Sequence, residues 1–242
     1  MNPLILESNT ISDSKIIVAL DYNNKNDVIA LVSKLSPELC RLKVGKELFT
    51  SCGPDIVRYL TYQGYDVFLD LKFHDIPNTV YSAVKTSCDL GVWMVNIHIA
   101  GGVKMMQKAV EAAAAYNTLL IGVTILTSLS QDEYLTLGYK EESLHAKVLS
   151  MAKLAYEGGV DGVVCSALEV PSIKVSSGNE FLCVTPGIRL LGDNSDDQSR
   201  VMTPEQAVLS GADYLVMGRS ITKSKDPQFV LSSINRTLAN SQ

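Results

Sequence analysis

No apolar run in this chain approaches the roughly 20 residues that a membrane-spanning helix needs, so no span is expected. A surplus of positive charge is also missing. Lys plus Arg number 21 against 26 Asp plus Glu, a net charge of −5. That balance argues against a nucleic-acid surface, which shows as a basic patch, and leaves room for a small anion held by a few local cations. Histidine is scarce: His74, His98 and His145 form no H-x-x-x-H pair and have no Cys partner at metal spacing, so we expect no zinc site and no metal. The five cysteines, Cys40, Cys52, Cys88, Cys165 and Cys183, lie far apart without a C-x-x-C pair, which reads as free thiols in a reducing compartment. Residues 1–14 lack a basic region followed by an apolar core, so no secretory signal is expected and a soluble cytoplasmic protein is. No linker or low-complexity tract divides the chain.

What is present is alternation. The chain has 242 residues, 46% of them hydrophobic, enough for one sizeable core. Short β-rich runs at 16–21, 42–45, 67–72, 94–98, 120–126, 162–166, 181–185 and 214–217 read as strands. Amphipathic stretches at 27–35, 54–63, 79–90, 104–116, 144–156, 204–209 and 227–238 read as helices. Strands alternating with helices imply a parallel sheet with right-handed crossovers, and eight such units close into a (β/α)₈ TIM barrel. An open doubly wound sheet is the alternative, but no G-x-G-x-x-G follows the first strand. We expect one α/β domain over 1–242, with 1–14 an N-terminal extension. The polar stretch 189–202 fits a phosphate-side lid and equally fits a tolerated surface insertion.

Barrel enzymes keep their chemistry at the C-terminal strand ends, and the polar residues of this chain fall there. Asp21 closes the first strand, Lys43 lies on the second, and Asn96 and His98 close the fourth. Thr127 and Ser128 follow the fifth, Arg189 follows the seventh, and Gly218-Arg219 follows the eighth. The third strand is the most informative. Side chains alternate faces along a strand, so Val67, Leu69 and Leu71 point one way and Asp70 and Lys72 the other. A buried acid and amine on one face must be paired or working, because isolated buried charge is costly. Glycine lets a backbone N–H approach an anion and Arg supplies forked donors, so Gly218-Arg219 suits a phosphate. Taken singly, Asp21 also fits a turn, Asp75 a helix cap, His98 a hydrogen-bonded barrel residue, and the arginines a solvated loop.

With those residues placed, the chain resembles the orotidine 5′-phosphate decarboxylase family, bacterial type, over essentially its full length. The run D-L-K-F-H-D-I-P-N-T from Asp70 to Thr79 is similar to that family's signature. It is joined in order by A-L-D ending at Asp21, K-V-G from Lys43, H-x-A-G-G from His98, L-T-S around Thr127, V-T-P-G-I-R ending at Arg189 and G-R-S-I around Arg219. The resemblance implies cofactor-free decarboxylation of orotidine monophosphate to uridine monophosphate, the last step of pyrimidine nucleotide synthesis. It implies that Lys72 protonates ring carbon 6, within an alternating network of Lys43, Asp70, Lys72 and Asp75. It also implies a homodimer in which Asp75 and Thr79 reach into the neighbouring subunit's site. Asp21 and Lys43 would hold ribose hydroxyls, Thr127 and Ser128 would border the pyrimidine, and Arg189, Gln198, Gly218 and Arg219 would surround the phosphate. Two positions depart from the family pattern: Trp93 stands where a small acidic residue is usual, and Ile99 where a smaller one is. A magnesium-dependent sugar-phosphate decarboxylase or aldolase of the same barrel suite is the nearest rival. A non-catalytic phosphate-ligand sensor is the alternative from another class.

Overall fold

The computed structural model describes residues 13–138, 143–190 and 202–240. Eight strands, β1 (Ile16–Ala19), β2 (Arg41–Gly45), β3 (Val67–Phe73), β4 (Met94–His98), β5 (Leu119–Val123), β6 (Gly162–Val164), β7 (Leu182–Thr185) and β8 (Tyr214–Met217), pair in sequence order into a closed parallel barrel. Ile17 registers with Arg41 and with Val216, which shuts the sheet between β1 and β8. Helices follow the strands and cover the outside. The longest are Pro77–Asp89, Leu144–Glu157 and Pro227–Ala239. The last of these carries Asn235, whose amide donates to the Leu39 carbonyl and whose carbonyl receives the Ser14 hydroxyl, tying the C-terminal helix across the start of β1.

Strand alternation divides the core in two. Outward residues such as Val18, Leu42, Val44, Leu69, Val95 and Ile97 pack against the helices. Inward residues Ile17, Ala19, Phe68, Met94, Ile121, Val184 and Val216 fill the barrel interior. Below that apolar plug, at the N-terminal ends of the strands, the buried Arg41 guanidinium lies 4.5 Å from the Trp93 ring centre and 5.1 Å from that of Tyr214. It pairs with Asp66 at 3.2 Å and donates to the Ser14 carbonyl. Trp93 meets Tyr214 edge-on at 4.9 Å, so the first departure from the family pattern is accommodated as part of this floor. The second has an equally local answer. A Cβ at Gly122 would sit 2.8 Å from Ile99 Cγ1, so the bare backbone of β5 makes the room that the larger side chain needs.

Several expected boundaries shift. β5 stops at Val123 instead of continuing to 126, because the Thr124 hydroxyl turns to the Val164 carbonyl and Leu126 emerges into solvent. β1 ends at Ala19 and β6 at Val164, short of the polar residues that follow them. Helices at Lys46–Cys52, Gln131–Thr136, Val170–Ser177 and Arg219–Thr222 were not expected. In Val170–Ser177 the β-branched residues disguise the pattern, while Pro171 sits harmlessly in the first turn. Gln131–Thr136 does carry a signal, a reciprocal capping box between Ser130 and Glu133.

Candidate active site

The upper end of the barrel interior is charged; β2 and β3 supply the charges and β4 a buried amide. Lys43 on β2 has the same inward parity as Arg41, and its ammonium lies 3.1 Å from Asp70 Oδ2 and 3.9 Å from Asp21 Oδ1. Lys72 reaches the other Asp70 oxygen at 2.5 Å. Asp70 is thus a carboxylate shared by two ammoniums, with Asn96 Nδ2 adding a third donor at 2.7 Å. Burial opposes its ionisation. Lys43 and Lys72, with hydrogen bonds from Lys72 and Asn96, outweigh that and hold its carboxyl down to about 2.

Lys72 departs from ideal strand geometry. Its φ is +54°, the left-handed region that side chains disfavour, and it is alone among described non-glycine residues in this. The β3–β4 register slips at the same place. Leu69 faces Val95, yet Phe73 already faces Ile97, so β3 bulges between them. Such backbone strain concentrates at functional sites.

These groups line one side of a cavity of about 270 Å³. Its base is apolar, formed by Ala19, Phe68, Val164, Val184 and Val216. Asp21, Ile125, Leu126 and Thr127 contribute to the rim, and Pro186, Gly187, Arg189, Gly218 and Arg219 come from the loops after β7 and β8. Gly187 has φ +79°, a conformation glycine adopts without strain. The stretch bearing Arg189 is pinned where it leaves the barrel: Ile188 bridges Met202, and the Arg189 N–H donates to the Met202 carbonyl. The cavity therefore sets two carboxylates and two ammoniums against two arginines, over an apolar floor.

Of the expected site residues, Asp21, Lys43, Asp70, Lys72, Thr127, Arg189, Gly218 and Arg219 converge on this cavity. Four do not. Ser128 is exposed just beyond Thr127 and is not part of the lining, because the chain turns away after β5. Asp75, in the β3–helix connection, and Thr79, in the first turn of the helix, are exposed and are not part of the lining. Among the described residues Asp75 forms no ion pair, and its carboxylate accepts the Ile76 N–H, so within one chain the charge network runs Asp21–Lys43–Asp70–Lys72 and does not include Asp75. The capping role also fails, since the cap residue of Pro77–Asp89 is Ile76. Gln198 and most of the 189–202 stretch lie outside the described residues. His98 is half-buried at the rim, its ring centre 5.5 Å from that of His74. Burial, with His74, Lys46 and Lys72 nearby, pulls its pKa down to about 4, so it is neutral at pH 7.

One residue had no role assigned from sequence. Asn96 is fully buried on the inner face of β4 and touches both Asp70 and Lys72. The available signal was its parity, since Met94, Asn96 and His98 share the inward face of a strand that is otherwise apolar.

The comparisons agree with the geometry. The family model described as "Orotidine 5'-phosphate decarboxylase / HUMPS family" matches residues 14–234. A protein of Saccharophagus degradans named orotidine 5′-phosphate decarboxylase is 52% identical over 95% of this chain and 97% of its own length. One of the same name from Neisseria meningitidis is 49% identical over 98% and 97% respectively. Among solved structures, that of orotidine 5′-phosphate decarboxylase from Lactobacillus acidophilus superposes with a TM-score of 0.84 at 38% identity, covering 93% of this chain and 99% of that one. With the barrel, the Lys–Asp–Lys mouth and full-length relatives all in agreement, this chain belongs to the orotidine 5′-phosphate decarboxylase / HUMPS family.

Proposed function

We propose that this site decarboxylates orotidine 5′-phosphate to UMP in pyrimidine biosynthesis, using only side chains. The observation that carries this reading is the Lys43–Asp70–Lys72 array at a barrel mouth, facing two arginines across a cavity. Loss of carbon dioxide leaves an electron pair on a ring carbon that cannot delocalise it as an enolate. A fixed ammonium beside that carbon stabilises the developing charge without reorganising during reaction. Lys72 supplies that charge and then transfers a proton to carbon 6, so the C–C electron pair ends in a C–H bond. Asp70 aims Lys72 and, through its second oxygen, Lys43.

Remote binding energy positions the ring. Arg189, Gly218 and Arg219 would take the phosphate, Asp21 and Lys43 the ribose hydroxyls, and Thr127 the pyrimidine edge. The exposed Asp75 and Thr79 fit a role in a neighbouring subunit's site, and a homodimer with shared sites is part of this proposal. Five free thiols suit a reducing compartment such as the cytoplasm.

The test is loss of orotidylate absorbance on mixing with purified protein in a chelating buffer. Turnover that persists after divalent metal is removed supports the reading. Activity that appears only with magnesium, or only on a sugar phosphate, points to the rival chemistry. For shared sites, mixing inactive Lys72→Ala and Asp75→Ala chains should restore roughly a quarter of wild-type activity after random exchange. No recovery after confirmed exchange would refute them.

A further inference from the structure

The bulge in β3 leaves the Lys72 N–H without a carbonyl on β4 to receive it, because the ladder resumes only at Phe73 and Ile97. Asn96 fills that gap. Its side-chain oxygen accepts the Lys72 N–H at 2.8 Å, and its Nδ2 donates to Asp70 Oδ1 at 2.7 Å. A carboxamide offers an acceptor and a donor side by side, and only one orientation of it satisfies both neighbours here. The contact is dry, Asn96 being 0% exposed, so neither hydrogen bond can be replaced by water without opening the barrel.

The consequence reaches the ammonium. Asp70 Oδ1 receives both Asn96 Nδ2 and Lys72 Nζ, while the Lys72 main chain is held left-handed by the same amide. Both ends of the lysine, its backbone and its charge, are thus referred to one side chain on the adjacent strand. We propose that Asn96 is a positioning residue for the proton donor, locking the Asp70 carboxylate and the left-handed turn at Lys72 into one rigid unit. The inference rests on the decarboxylase reading for its kinetic part, and on the bulge alone for its structural part.

Asn96→Ala and Asn96→Asp test it together, with Lys72→Ala as the zero-activity control. For Asn96→Ala we expect kcat to fall by about a hundredfold or more, the cost of misplacing a reacting group by about 1 Å, with KM within about threefold because the phosphate contacts are untouched. Asn96→Asp discriminates further. Ionised, its carboxylate opposes Asp70; protonated, it reproduces the amide, an O–H toward Asp70 and a C=O toward the Lys72 N–H. Its kcat relative to wild type should therefore rise as pH is lowered from 8 toward 6, whereas that of Asn96→Ala should not. A crystal structure of Asn96→Ala, or of Asn96→Asp grown near pH 8, should show Lys72 out of the left-handed region or its ammonium displaced from Asp70.

The proposal is overturned if Asn96→Ala keeps kcat within about threefold, or if both variants lose activity with the wild-type pH profile. It is equally overturned if Lys72 keeps its φ and its contact in Asn96→Ala and in Asn96→Asp near pH 8. If Asn96→Ala does not fold, the pH profile of Asn96→Asp decides. Wild-type protein inactive on orotidylate would sink the decarboxylase reading instead, and the variant structures would still judge the role of Asn96.

Discussion

The two ends of the barrel interior carry nearly the same parts and use them oppositely. At the lower end Arg41 meets Asp66; at the upper end Lys43 and Lys72 meet Asp70. Arg41 and Lys43 are two residues apart on one face of β2, and Asp66 and Asp70 are four apart along the β3 segment. The lower cation lies against the contacting rings of Trp93 and Tyr214 and is bonded to the Ser14 carbonyl, with its charge spent on neighbours that never leave. The upper ammoniums border an open cavity, and one of them stands on a strained backbone. The carboxylates record the difference. Burial pushes the Asp66 pKa up and a single guanidinium only partly offsets it, whereas two ammoniums draw Asp70 down to about 2. A charge fully enclosed by fixed partners holds the fold together. One left facing a cavity is available to a substrate.

If that division is right, substitutions at the two ends should separate activity from stability. Lys72→Ala should abolish turnover by about 10⁴-fold or more, combining loss of the acid and of the fixed charge, while product-analogue binding remains measurable by calorimetry; near wild-type turnover would break the assignment. Arg41→Ala should act in reverse. Denaturant titration should show a loss of about 3 kcal/mol from the orphaned Asp66, with kcat of the folded enzyme changed by less than about threefold; a large kcat effect would mean the ends are coupled. Arg219→Ala should lower kcat/KM on the phosphorylated substrate by roughly 10- to 100-fold, the scale of one charge-assisted phosphate contact. Equal losses on the phosphate-free nucleoside would remove Arg219 from that role.

The smallest effect concerns acid. Asp70 has its pKa depressed by folding, so the stability it contributes is complete above the ordinary carboxylate range, near 4, and is lost as pH falls through about 2. Asp66 is raised, so protonation favours the fold and stability increases as pH falls through its folded-state pKa. Asp70→Asn should flatten the acid limb of the unfolding profile and Asp66→Asn should steepen it. Shifts of the same sign would contradict the contrast between the ends.

Much of this site was legible before any coordinates. Period-two alternation put Lys43, Asp70 and Lys72 on inner faces, and the ordered motifs put Asp21, Thr127, Arg189 and Arg219 at one end of a parallel barrel. What escaped depended on departures from periodicity. The slip between Leu69 and Phe73 and the left-handed Lys72 have no signature in residue type, because lysine normally avoids that conformation. For the same reason Asn96 read as one more polar strand residue instead of the group that completes the bulge. Ser128 missed the cavity because an apolar run, Leu120 to Leu126, continued past the point where its last residues leave the ladder.

By itself the amino-acid order determined the alternation of elements, and with it the barrel and the end at which the charges gather, since these follow from side-chain period and from the cost of burying unpaired charge. Tertiary structure alone decided which carboxylate serves two ammoniums, that a neighbouring strand's amide stands in for a missing backbone carbonyl, and that Asp75 is not among the residues lining its own chain's cavity. Those outcomes depend on distances between strands far apart in sequence, where one slipped register changes every partner.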